Sequence, residues 1–124
     1  MPDSQVSLKL IYRANIFVVN RARPVLQMGR DDSNDIVVAS LFASRLHARV
    51  EARDGQFVLT DLSSNGTFVL PGGQSDNEED AQGPEIRLRQ EALVLTGRGW
   101  LGMGRSAAKH GDHSVRFSVQ AEMG

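Results

Sequence analysis

The sequence contains no cysteine, which excludes disulfide frameworks, cysteine-based zinc sites and thiol catalysis together. Histidine is scarce at three residues, so an imidazole metal site has few candidates and none is expected. No apolar run approaches the roughly 20 residues of a membrane-spanning helix. The opening Met-Pro-Asp-Ser-Gln lacks a basic-then-apolar leader, which predicts a reducing, cytoplasmic setting. A global field of one sign is missing too: the net charge is −1, which argues against nucleic acid or an anionic membrane as partner. What remains is 124 residues, 40% hydrophobic and 23% charged, the size and balance of one globular domain.

Charge is unevenly placed. Residues 71–85 hold five acids and no base, whereas 86–124 carry six bases against three acids. Twelve of the 14 basic residues are arginine, whose planar fork suits carboxylate and phosphate better than lysine does.

The apolar pattern has a period of two. Leu8, Leu10 and Tyr12 alternate with Lys9 and Ile11, and Ala48, Val50 and Ala52 with Arg49, Glu51 and Arg53. Ile86 and Leu88 alternate with arginines, and Val115, Phe117 and Val119 with Arg116 and Ser118. Each reads as a strand with one wet face. Shorter apolar runs at 16–19, 25–28, 36–38, 57–59, 67–70, 93–95 and 100–103 are separated by turn signals such as Asp54-Gly55 and Asn65-Gly66. Ten or eleven short strands and no persuasive helix predict a single all-β sandwich. Pro71–Glu85 breaks the pattern with glycine, proline, acids and amides, and reads as a solvated loop insertion.

Three motif matches lead nowhere. Gly97, Gly99 and Gly102 fit a dinucleotide fingerprint, but the following segment reads as strand where a helix is required. Ser106 and Lys109 fit a Ser-x-x-Lys pair without partner motifs, and His110 and His113 flank a polar turn.

A fourth constellation is more specific. Gly29-Arg30, Ser33-Asn34-Asp35-Ile36, Ser44-Arg45-Leu46-His47-Ala48 and Asp61-Leu62-Ser63-Ser64-Asn65-Gly66-Thr67 follow one another at spacings that resemble the forkhead-associated (FHA) domain. The resemblance spans residues 8–119, most of a single domain covering 1–124. It implies an FHA/SMAD-like β-sandwich of about eleven strands with a binding site in the loops at one end.

These residues suit a phosphothreonine dianion, which presents three acceptor oxygens and about −1.5 to −2 charges. Arg30 offers a fork, Ser44 and Ser64 hydroxyls, Arg45 a second cation, and Asn65 an amide that both donates and accepts. By resemblance, Arg30 and Ser44 contact phosphate, Ser64 lines the pocket, and Asn65 bonds the peptide main chain. Arg45 adds charge, His47 ties the Ser44 loop to its neighbours, and Gly29 and Gly66 shape turns. Asp61 is expected to pin its loop.

The implied function is non-catalytic recruitment of a phosphothreonine-containing protein in bacterial signalling, with no cofactor. Leu41-Phe42-Ala43 before Ser44 are apolar, in a loop that by resemblance reads the side chain three places after the phosphothreonine, which suggests an apolar preference there. The ending LTGRGWLGMG resembles FHA modules fused to bacterial nucleotide cyclases, so a neighbouring enzymatic domain is a candidate partner. Two other readings stay open: a scaffold or dimerisation module indifferent to phosphate, and a nucleotide-dependent enzyme or hydrolase using His47. The enzyme reading lacks a nucleophile and acid to accompany that histidine.

Overall fold

Residues 6–72, 83–109 and 111–121 are described by a computed structural model of the chain. Eleven strands account for most of them. In order they are β1 (Val6–Tyr12), β2 (Asn15–Val19), β3 (Val25–Gly29), β4 (Ile36–Val37), β5 (Ala48–Arg53) and β6 (Gln56–Asp61). They continue as β7 (Thr67–Pro71), β8 (Ile86–Leu88), β9 (Ala92–Leu95), β10 (Arg98–Met103) and β11 (Val115–Ala121). Two 3-10 turns, Ala107–Lys109 and Gly111–His113, lie between β10 and β11.

The strands form two sheets, of order β2-β1-β11-β10-β7-β8 and β4-β3-β5-β6-β9. All neighbouring pairs are antiparallel except β3 with β4. The period-two pattern explains the packing. Leu8 and Leu10 on β1, Val50 on β5, Phe57 and Leu59 on β6, and Leu101 and Met103 on β10 all turn inward and are almost fully buried. Each such side chain stabilises the fold by roughly 1.5–3 kcal/mol relative to exposure. The β5–β6 hairpin closes through Asp54 and Gly55, both at positive φ, so the Asp-Gly signal makes the two-residue turn that strand twist favours.

Two details depart from the alternation. Ile86 is exposed although Leu88, two residues on, is buried; β8 is a three-residue strand at the edge of its sheet among the described residues. Trp100 points away from the main core and joins Leu70 and Ala107 in a small second cluster under the first 3-10 turn.

The glycines at 97–102 belong to this packing. Gly99 and Gly102 lie within β10, where a side chain would strike the Leu70 carbonyl and Phe117 ring, or the Arg105 carbonyl and Ala107. Among the described residues only two single-turn 3-10 segments follow them before β11, not the α-helix that cradles a pyrophosphate. His113 hydrogen-bonds the Tyr12 hydroxyl at 2.9 Å, while its expected companion His110 lies outside the described residues. So does 73–82, the greater part of the insertion expected at 71–85.

Candidate functional site

Three connections gather at one end of the sandwich: residues 30–35 between β3 and β4, 38–47 between β4 and β5, and 62–66 between β6 and β7. The first two are laced by their backbones. Arg30 N–H donates to the Ser44 carbonyl at 2.9 Å and Asp31 N–H to that of Arg45 at 3.1 Å. Asn34 Nδ2 adds bonds to the Asp31 and Arg45 carbonyls at 2.9 and 2.6 Å. Gly29 is required here, since a Cβ would collide with the Arg45 carbonyl oxygen.

His47 ties the second and third connections to each other and to β3. Its Nδ1 accepts the Ser44 N–H at 2.9 Å, which leaves the proton on Nε2 to be donated to the Gly66 carbonyl, also at 2.9 Å. Its own N–H reaches the Met28 carbonyl, and its carbonyl accepts the Leu62 N–H. The ring is fully buried, and burial is the main reason its pKa is held below the ordinary 6.5, against weaker opposing pulls from the Gly66 carbonyl and Asp61.

That shift predicts a pH dependence. The native state holds His47 neutral, so the unfolded chain takes up the proton first as pH falls. Its contribution to stability is full above about pH 6.5 and is lost as pH drops through the folded pKa. Melting temperature should therefore fall over that window in the wild type, and the decline should be smaller in His47→Gln, which cannot titrate. Parallel declines would contradict this account.

The turn at 62–66 is held from inside by Asp61. One carboxylate oxygen accepts the Ser63 N–H and hydroxyl at 3.2 and 2.6 Å and the Thr67 hydroxyl at 2.7 Å, and the other accepts the Gln90 N–H at 2.8 Å. Burial alone would raise its pKa, but these donors together prevail and hold it below 3.8. Ser63 Oγ in turn accepts the Gly66 N–H at 2.8 Å. Gly66 sits at φ +95°, where a side chain would be strained and would also meet the Leu88 carbonyl at 2.9 Å.

On this base stand the side chains singled out by the sequence. Arg30, Arg45, Ser64 and Asn65 are exposed, Ser44 is half-buried, and Gly29, His47 and Gly66 are buried beneath them. Arg30 Nε donates to the Ala43 carbonyl at 3.1 Å, which orients the guanidinium while leaving its terminal nitrogens out of that bond. Ser44 Oγ accepts the Ser64 N–H at 3.2 Å, so its own proton remains for another acceptor. Asp31 is held below its usual 3.8 chiefly by the Ser33 hydroxyl and N–H, with a small contribution from Arg45.

Three further residues were not singled out. Arg87 reaches from β8 to the Asn65 carbonyl, Gln90 donates to the Ser63 carbonyl at 2.6 Å, and the Arg105 guanidinium lies 5.0 Å from the centre of the Phe42 ring. Leu41 and Leu46, in the same connection as Phe42, are exposed, Leu41 at 91%.

A profile of the FHA domain matches residues 26–97, more than half of the chain and all three site connections. The oxoglutarate dehydrogenase inhibitor of Corynebacterium diphtheriae is 32% identical over 74 residues. That match covers 59% of this chain and 51% of the relative, so the chain spans about half the length of the curated relative it matches. An FHA-1 domain of Mycobacterium tuberculosis superposes with a TM-score of 0.63 at 19% identity, over 93% of this chain and 97% of that one. The MEK1 FHA domain, solved in complex with a HOP1 phosphothreonine peptide, gives 0.61 at 14% identity over 94% and 97%. With the sandwich, the connections and the profile in agreement, the chain belongs to the FHA domain family, whose members are phosphopeptide-binding modules and not enzymes.

Proposed function

We propose that this domain recruits a protein by binding a phosphothreonine in an extended segment, with Arg30, Ser44, Arg45, Ser64 and Asn65 as the contacting side chains. The observation that carries the reading is the convergence of Arg30, Ser44 and Ser64 on a base already braced by His47. Arg30 bonds the Ala43 carbonyl, and the next residue, Ser44, accepts the Ser64 N–H, so a fork and two hydroxyl-bearing residues from three loops are neighbours, a set that suits a dianion with three acceptor oxygens. Asn65, at the crest of the turn, has donor and acceptor groups suited to the main chain of a bound strand. The phosphothreonine complex of MEK1 supports the choice of residue. Gly29, His47 and Gly66 support the site without touching the ligand.

The partner in this reading is a cytoplasmic protein, and the chain from 1 to 124 acts as a single module. A place beside an enzymatic domain, such as a nucleotide cyclase, is supported by the LTGRGWLGMG ending. The relative named for inhibiting oxoglutarate dehydrogenase supports a second reading, in which the domain docks on a metabolic enzyme.

Calorimetric titration with a degenerate phosphothreonine peptide pool tests the first reading against its phosphoserine and unphosphorylated counterparts, with nucleotides as controls. Binding confined to the phosphothreonine pool is expected. Equal binding of phosphorylated and unphosphorylated pools would favour docking without phosphate, and binding of nucleotides alone would exclude both.

A further inference from the structure

The turn bearing Ser64 and Asn65 is held from outside as well as from within. Arg87, on edge strand β8, donates from Nε and Nη2 to the single carbonyl oxygen of Asn65, at 3.2 and 2.7 Å. Its guanidinium lies 5.1 Å from the centre of the Phe68 ring, its cross-strand neighbour on β7. Arg87 is thus fixed at two places, by an aromatic face and by a carbonyl.

The carbonyl it grips belongs to the peptide plane between Asn65 and Gly66. Fixing that oxygen fixes the rotation of the plane, and so the backbone on which the Asn65 side chain is mounted. Gly66 makes the arrangement possible: a Cβ there would lie 3.0 Å from Arg87 Nε. Gln90, past the end of β8, grips the Ser63 carbonyl two residues earlier. The two carbonyls are held by one segment of chain.

We propose that Arg87 is a positioning residue of the binding site, acting through Asn65. It sets the peptide plane of the turn so that the Asn65 amide is presented before a ligand arrives. The inference rests on the phosphopeptide reading above and adds to it a residue outside the loops. Arg87 carries charge, but its role is distinct from that of Arg30 and Arg45, since its Nε and Nη2 donate to the backbone of the turn itself.

A double-mutant cycle separates positioning from direct attraction. Arg87→Met should weaken binding of a phosphothreonine peptide by about fivefold to tenfold, the scale of one net hydrogen bond. Arg87→Lys, which keeps the charge but cannot grip the carbonyl with a fork, should recover little of that loss. In an Asn65→Ala background, Arg87→Met should cost less than about twofold more, because the group it positions is gone.

Hydrogen exchange of the Gly66 amide reads the same role without ligand: exchange should quicken in Arg87→Met at an unchanged melting temperature. Wild-type binding of the peptide is the control for the phosphopeptide reading itself. Given that binding, additive losses in the cycle, full rescue by lysine, or unaltered Gly66 exchange would each overturn the positioning role.

Discussion

Arg30→Ala should weaken phosphopeptide binding by roughly 10- to 150-fold, the equivalent of about 1.5–3 kcal/mol for hydrogen bonds to a charged group. The side chain is exposed and, among the described residues, hydrogen-bonds through its Nε to the Ala43 carbonyl, so folding stability should change by less than about 1 kcal/mol. The size of the binding effect follows from geometry. A guanidinium oriented by one backbone bond offers its remaining N–H groups to a dianion as parallel, charge-assisted hydrogen bonds. Arg30→Lys keeps the charge without the fork and should recover only part of the loss. Lowering the pH below about 6 protonates the phosphate and should weaken the wild type more than Arg30→Ala. Because the fold itself loses stability as pH falls below about 6.5, through His47, the informative quantity is the ratio of the two affinities at each pH. Equal affinities for wild type and Arg30→Ala in titration calorimetry would end the phosphate-binding assignment.

Much of this site is legible along the chain because its parts are local. Arg30, Ser44 and Ser64 each lie within a few residues of a turn or strand end that the alternation marks, and Gly66 sits where a positive φ is needed. Arg87 and Arg105 were not legible for the opposite reason. Arg87 reads as the polar face of a half-wet strand, and only the β7–β8 register brings it over Phe68 and the Asn65 carbonyl. Arg105 meets Phe42 because Gly104 N–H bonds the Gly66 carbonyl and draws the β10–β11 connection toward the site.

The fold shows the same division. The β5–β6 turn announces itself through Asp54-Gly55, whereas the β1–β2 turn uses Arg13 at φ 57°, a residue with no such preference. Trp100 fits the strand pattern, but its outward cluster with Leu70 and Ala107 depends on where a distant 3-10 turn lands.

The contrast between Ser44→Ala and His47→Ala tests whether support and contact are separate in this site. Ser44 is half-buried, and its hydroxyl accepts one long bond, from the Ser64 N–H at 3.2 Å. Removing it should shift stability by less than about 0.5 kcal/mol while still weakening phosphopeptide binding. His47→Ala is a different change. It strands the part-buried Ser44 N–H, deprives the Gly66 carbonyl of one of its two donors, and leaves a void where a fully buried ring stood. Each stranded buried group costs about 1–3 kcal/mol, so a total near 2–4 kcal/mol is expected once partial collapse of the void is allowed. Binding should fall as well, because the Ser44 and Gly66 connections lose their common tie. Chemical denaturation of both variants beside the wild type distinguishes the roles. A large loss of stability in His47→Ala alone is the expected pattern, and matching shifts in the two variants would mean that Ser44 carries the fold or that His47 does not.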